Sequence, residues 1–109
     1  MGTLSTHVLD TSRGCPAEGV AVQLLGAASP EPLGEGVTDA DGRLGAIGPE
    51  RLEPGDYRLR FDTAGYFAAN GTDGFYPEVV VAFTVAAGVE HVHVPLLLNP
   101  FGYSTYRGS

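Results

Sequence analysis

No stretch of this chain runs far without a glycine or a proline. Sixteen glycines and eight prolines are spread along its 109 residues. Each works against a long helix: glycine adds backbone freedom that folding must remove, and proline lacks a donor and collides with the preceding turn. Between these breakers lie short runs rich in β-branched and aromatic residues. Short runs of that kind, bounded by turn residues, are the pattern of a sandwich or barrel of short strands.

The runs themselves alternate. In "TLSTHVLD", Leu4, Thr6 and Val8 share one face and Ser5, His7 and Leu9 the other. "RGCPAEG" turns the chain, and "VAVQLLG" follows with Val20, Val22 and Leu24 on one face. Asp41-Gly42 is a tight-turn signal between a strand ending near Thr38 and one beginning near Arg43. "GDYRLRFDT" sets Tyr57, Leu59 and Phe61 against Arg58, Arg60 and Asp62. "YPEVVVAFTV" and "EHVHVPLLL" are the last two long strands. One segment breaks the pattern. Ala64–Asn70 reads as a short helix, capped by Asp62 or Thr63 and ended by Gly71. With no internal repeat or linker, the expectation is an all-β, two-sheet β-sandwich of seven or eight strands, one short helix and a single domain over residues 1–109.

Thirteen acidic residues against six basic ones give a net charge of −7. No basic cluster interrupts this balance, which argues against nucleic acid or an anionic membrane as partner. No apolar run approaches the ~20 residues of a membrane helix. The first residues lack the basic and apolar regions of a secretory signal, so a cytoplasmic location is expected. Cys15 is the only cysteine. It permits a reducing compartment and reads as a loop residue.

Three histidines fall on expected strands. His91 and His93 are two apart and share a face, while His7 comes from the other end of the chain. Such a trio could hold zinc. On spacing alone, His7 and His93 read equally as hydrogen-bonded core or interface histidines, and Arg43 as a solvated strand-start residue. Asp39 and Asp41 read as turn formers. No phosphate loop or nucleophile elbow is present.

Four stretches taken together carry a resemblance: "LSTHVLD", "TDADGR", "HVHVPLLL" and the terminal "YRGS". With "GDYRLRFDTAGYF" and "FYPEVVVAF" they span nearly the whole chain, which resembles the 5-hydroxyisourate hydrolases, also called transthyretin-like proteins. The terminal tetrapeptide is the most specific part, because it separates the hydrolases from the transthyretins that share their fold. The resemblance implies a transthyretin-like sandwich without cofactor or metal. The reaction would open the ring of 5-hydroxyisourate by hydrolysis to 2-oxo-4-hydroxy-4-carboxy-5-ureidoimidazoline, between urate and allantoin. It further implies a homotetramer with sites at the dimer–dimer interface. The implied catalytic residues are His7, Arg43, His93 and Ser109, with Tyr106, Arg107 and Gly108 also binding substrate. His91 is expected to matter less. The alternative is a non-enzymatic, transthyretin-type carrier of small ligands, since the mid-chain "PGDY" pattern also resembles small structural β-sandwiches.

Overall fold

The computed structural model describes residues 4–108. The chain forms β1 (Leu4–Asp10), β2 (Cys15–Pro16), β3 (Ala21–Gly26), β4 (Pro32–Val37), β5 (Arg43–Leu44) and β6 (Gly55–Phe61). Helix α1 (Thr63–Ala69) follows, then β7 (Val79–Val85), β8 (Val92–Asn99) and β9 (Gly102–Thr105). The first sheet has the order β2-β1-β8-β9, with β5 also paired to β1. The second has the order β4-β3-β6-β7. Every strand pair is antiparallel except β1 with β8.

The alternation in the sequence sets the packing. Leu4 and Val8 of β1, Val94, Leu96 and Leu98 of β8, Val22 and Leu24 of β3, and Leu59 and Phe61 of β6 are buried in one core cluster. Tyr57 is only partly buried against it. Helix α1 adds Tyr66 and Phe67 to the same cluster. The side chain of Asp62 caps the helix by accepting from Gly65 N, and Gly71, at φ +66°, follows its end. The helix therefore lies where the sequence puts it.

A carboxylate sits inside this core. Asp10 is 2% exposed. It accepts from Ser12 N (3.0 Å), Ser12 Oγ (2.6 Å), Arg13 N (3.2 Å) and Tyr66 Oη (2.7 Å). Burial pushes its pKa up, but these hydrogen bonds outweigh it and leave the net shift downward. The Tyr66 phenol is pushed up to about 12, first by burial and then by its bond to Asp10.

Two strands go beyond the sequence expectation. Cys15 stands in β2 and not in a loop, because the turn after β1 folds back and pairs Asp10 with Cys15. Strand β9 arises because Asn99 accepts from Phe101 N (2.9 Å), making a tight turn after β8. The Asp41-Gly42 turn joins β4 to β5 without making a hairpin of them. Strand β4 pairs with β3 and β5 with β1, so the turn crosses between sheets.

Candidate active site

The parallel pairing of β1 with β8 brings the two ends of the chain together. Its register sets Ser5 beside His93 and His7 beside Pro95. Leu4, Thr6 and Val8 take the core face of β1, so Ser5 and His7 take the opposite face of the first sheet. Strand β5 lies on the other edge of β1 and sets Arg43 beside His7. This placement depends on Gly42, whose carbonyl accepts from Val8 N (2.7 Å) at φ +74°. A Cβ there would meet the Val8 carbonyl oxygen at 2.3 Å, so only glycine fits. Asp39 secures the turn by accepting from Asp41 N (2.9 Å) and Arg43 N (3.0 Å).

The tail joins the same face. Strand β9 runs antiparallel to β8, and a bridge between His93 and Gly108 continues the pairing in the same register. The gap between them falls opposite Pro95, which has no N–H to donate. The Pro95 carbonyl takes the Thr105 hydroxyl (2.7 Å), and Gly108 N then donates to the His93 carbonyl (2.9 Å). A Cβ at Gly108 would lie 2.5 Å from His93 Cδ2, so glycine allows this approach. Tyr106 and Arg107 are exposed. Both line a cleft of about 310 Å³ with His93, Phe83 and Val92; its walls do not include His7 or Arg43. Ser109, expected in the site, lies outside the described residues.

Hydrogen bonds constrain the rings. His7 Nε2 lies 2.9 Å from the Asp41 carbonyl oxygen. A carbonyl only accepts, so Nε2 carries the proton and the neutral ring presents its lone pair at Nδ1. His93 Nδ1 lies 2.7 Å from Ser5 Oγ, which leaves Nε2 for chemistry. The pKa of His93 is lowered by burial first, then by Arg43, His7 and His91. The ring is thus held neutral at neutral pH, as a general base requires. The guanidinium of Arg43 has no ion-pair or hydrogen-bond partner among the described residues.

The sequence reading passed over Ser5. Its hydroxyl also lies 2.9 Å from His91 Nε2, so it bridges two histidines. The available signal was the alternation that puts Ser5 on the His7 face of β1. His91 stands one residue before β8 and not within it, yet its ring reaches the same hydroxyl. Among the described residues, no group of three or more His, Cys, Asp or Glu side chains is arranged to hold a metal ion.

A two-sheet sandwich of this strand order, with histidines from both chain ends on one outer face, is the transthyretin architecture bearing a polar site. The chain belongs to the HIUase/Transthyretin family, whose profile matches residues 4–108. It is 44% identical to 5-hydroxyisourate hydrolase of Mus musculus over 97% of this chain and 94% of that protein. Among solved structures it is similar to Klebsiella pneumoniae 5-hydroxyisourate hydrolase, with a TM-score of 0.88 and 41% identity. That match covers 100% of this chain and 94% of the other. It is also similar to transthyretin from Sparus aurata, with a TM-score of 0.89 but 30% identity, over 99% and 97% of the two chains.

Proposed function

We propose that this chain is a 5-hydroxyisourate hydrolase, a single-domain enzyme that opens the ring of its substrate with water. The observation that carries the reading is the convergence of His7, Arg43, His93 and Gly108 on one face of the first sheet. Its relatives named for this activity cover nearly its whole length. A carrier has no use for two histidines and a guanidinium gathered on one face of the sheet.

Water is a weak nucleophile and needs a base whose pKa lies near the working pH. His93 takes that role through Nε2. His7 orients the same water through Nδ1, so each ring accepts one of its two hydrogens. The remaining oxygen lone pair attacks the ring carbonyl; the ring C–N bond then breaks, and the leaving nitrogen takes the proton that His93 removed from the water. Arg43 binds the anionic substrate and stabilises the charge that builds on the carbonyl oxygen. Tyr106 and Arg107 wall the site, Gly108 lets the tail approach His93, and Ser109 contributes its hydroxyl. A positioned base is worth about 10²–10⁴ in rate, so loss of either histidine should cost on that scale.

The working form we propose is a homotetramer in which paired dimers close over this face. The exposure of Tyr106 and Arg107 supports it, since a second subunit could bury them around substrate. No helix among the described residues is long and apolar enough to cross a membrane. A cytoplasmic location is part of the same proposal, supported by a lone cysteine that a reducing compartment would suit.

The test is a stopped absorbance assay on freshly made 5-hydroxyisourate, with and without chelator. Enzyme-dependent decay, unaffected by chelator, is expected. Decay at the spontaneous rate would leave the small-ligand carrier as the better reading. Activity lost in chelator and restored by zinc would replace the general base by a three-histidine metal site.

A further inference from the structure

The contact that neither the fold nor the proposed chemistry accounts for is Ser5. Its side chain is 9% exposed, on the outer face of β1, with Oγ between His93 Nδ1 (2.7 Å) and His91 Nε2 (2.9 Å). A serine hydroxyl has one proton and two lone pairs. It can donate to only one of the two rings, so at least one of these nitrogens must itself carry a proton. The two tautomers are therefore coupled through one oxygen. For His93 to act as a base at Nε2, its neutral form must hold its proton at Nδ1 and donate to Ser5. The hydroxyl proton of Ser5 is then free to point at His91 Nε2.

We propose that Ser5 is a positioning and proton-relay residue, linking the base His93 to the solvent-exposed His91. The inference rests on the hydrolase reading of this site. As His93 Nε2 takes a proton from the attacking water, the Nδ1 proton passes to Ser5 Oγ and the Ser5 proton passes to His91 Nε2. One O–H bond of water breaks and its proton is retained on His93. Ser5 and His93 end neutral, and His91 holds the charge as the imidazolium until the ring C–N bond breaks; the relay then runs back, and His93 Nε2 gives its proton to the leaving ring nitrogen. His93 is a poor place to leave that charge. It is partly buried, and Arg43, His7 and His91 all oppose its protonation, while Arg107 borders the same cleft. His91 is exposed, where water stabilises a cation. The relay moves the charge from a partly buried ring to an exposed one.

The experiment compares the full chain with Ser5→Ala, Ser5→Thr, His91→Gln and the double variant Ser5→Ala/His91→Gln. Turnover and the ring nitrogen shifts of His93 are read by kinetics and NMR. Ser5→Ala should lower kcat about tenfold or more with KM nearly constant, the lower end of what proton-transfer groups contribute. Ser5→Thr, which keeps the hydroxyl, should restore most of it. His91→Gln should show a similar loss, and the double variant should lose no more than either single one, because both interrupt one path. Wild-type kcat in Ser5→Ala, no recovery in Ser5→Thr, or losses that multiply in the double variant would each overturn the relay. If the intact chain does not hydrolyse 5-hydroxyisourate, the proposed function fails and NMR decides the coupling. A change at His91 should then move the His93 nitrogen shifts only when Ser5 is present, and the same response with Ser5→Ala would overturn it.

Discussion

Replacing Arg43 by glutamine removes a cation that opposes protonation of His93. Burial is the larger cause of the lowered pKa, so the shift should shrink without vanishing. An NMR titration should find the His93 pKa higher in Arg43→Gln than in the parent, and an unchanged value would show that the guanidinium lies elsewhere. The sign also fixes the pH dependence. A histidine whose folded pKa is lowered stabilises the fold fully above its ordinary value near 6.5, and that contribution is lost as pH falls through the lowered value. The acid limb of kcat/KM should accordingly lie below pH 6.5, the ordinary value for histidine. A second residue-scale test concerns Asp10, which faces the core while His7 faces away. Tyr66→Phe removes the 2.7 Å bond to this buried carboxylate. Thermal unfolding should show a loss of about 1–3 kcal/mol, the cost of leaving a buried acceptor short of a donor. Turnover per folded molecule should not change.

At the scale of elements, what the sequence reading lacked is strand β9, which leads into the tail. Chain ends commonly fray, yet β9 and the Gly108 bridge hold this one against β8. Gly108→Ala would force a methyl group toward the His93 ring. Turnover should fall about 10²-fold, the scale for displacing a reacting group by about 1 Å, with the melting temperature little changed. Truncation after Thr105 should leave the strands and the melting temperature intact and also cost about 10² or more in turnover. Normal kinetics in both variants would remove the tail from the site. The long strands and the helix were legible because each alternates or caps within its own few residues. The β2 pairing and the crossing of the Asp41-Gly42 turn were not, because they depend on which strand β1 accepts as a neighbour. His7, Arg43 and His93 could be named from motifs, but nothing local to "LSTHVLD" says that Ser5 meets His91 and His93. That contact is set by a parallel register between segments at opposite ends of the chain.

At the scale of the whole molecule, the surface offers a patch for association besides the face that carries His7 and His93. The apolar side chains of "EHVHVPLLL" are largely buried within one chain, with Val94, Leu96 and Leu98 in its core. Among the exposed large apolar side chains is an aromatic cluster: Phe75, Tyr76 and Tyr103, with Phe101 nearby in sequence. Tyr76 meets Phe75 and Tyr103 edge to face, with centroids 4.9 and 5.2 Å apart. Tyr103 lies on β9 and the other two precede β7, and these strands end their respective sheets. An exposed aromatic group beside unpaired strand edges is a feature that symmetric association covers. Phe75→Glu tests this without touching His7, Arg43, His93 or the tail, and at 69% exposure the ring contributes little to the monomer core. The parent should sediment as a tetramer and the variant as smaller species with an unchanged circular dichroism spectrum. If each site needs a second subunit to close it, the turnover of the variant should fall with its tetramer fraction and recover at high protein concentration. A monomer that hydrolyses 5-hydroxyisourate at the full rate would place the whole site within one chain.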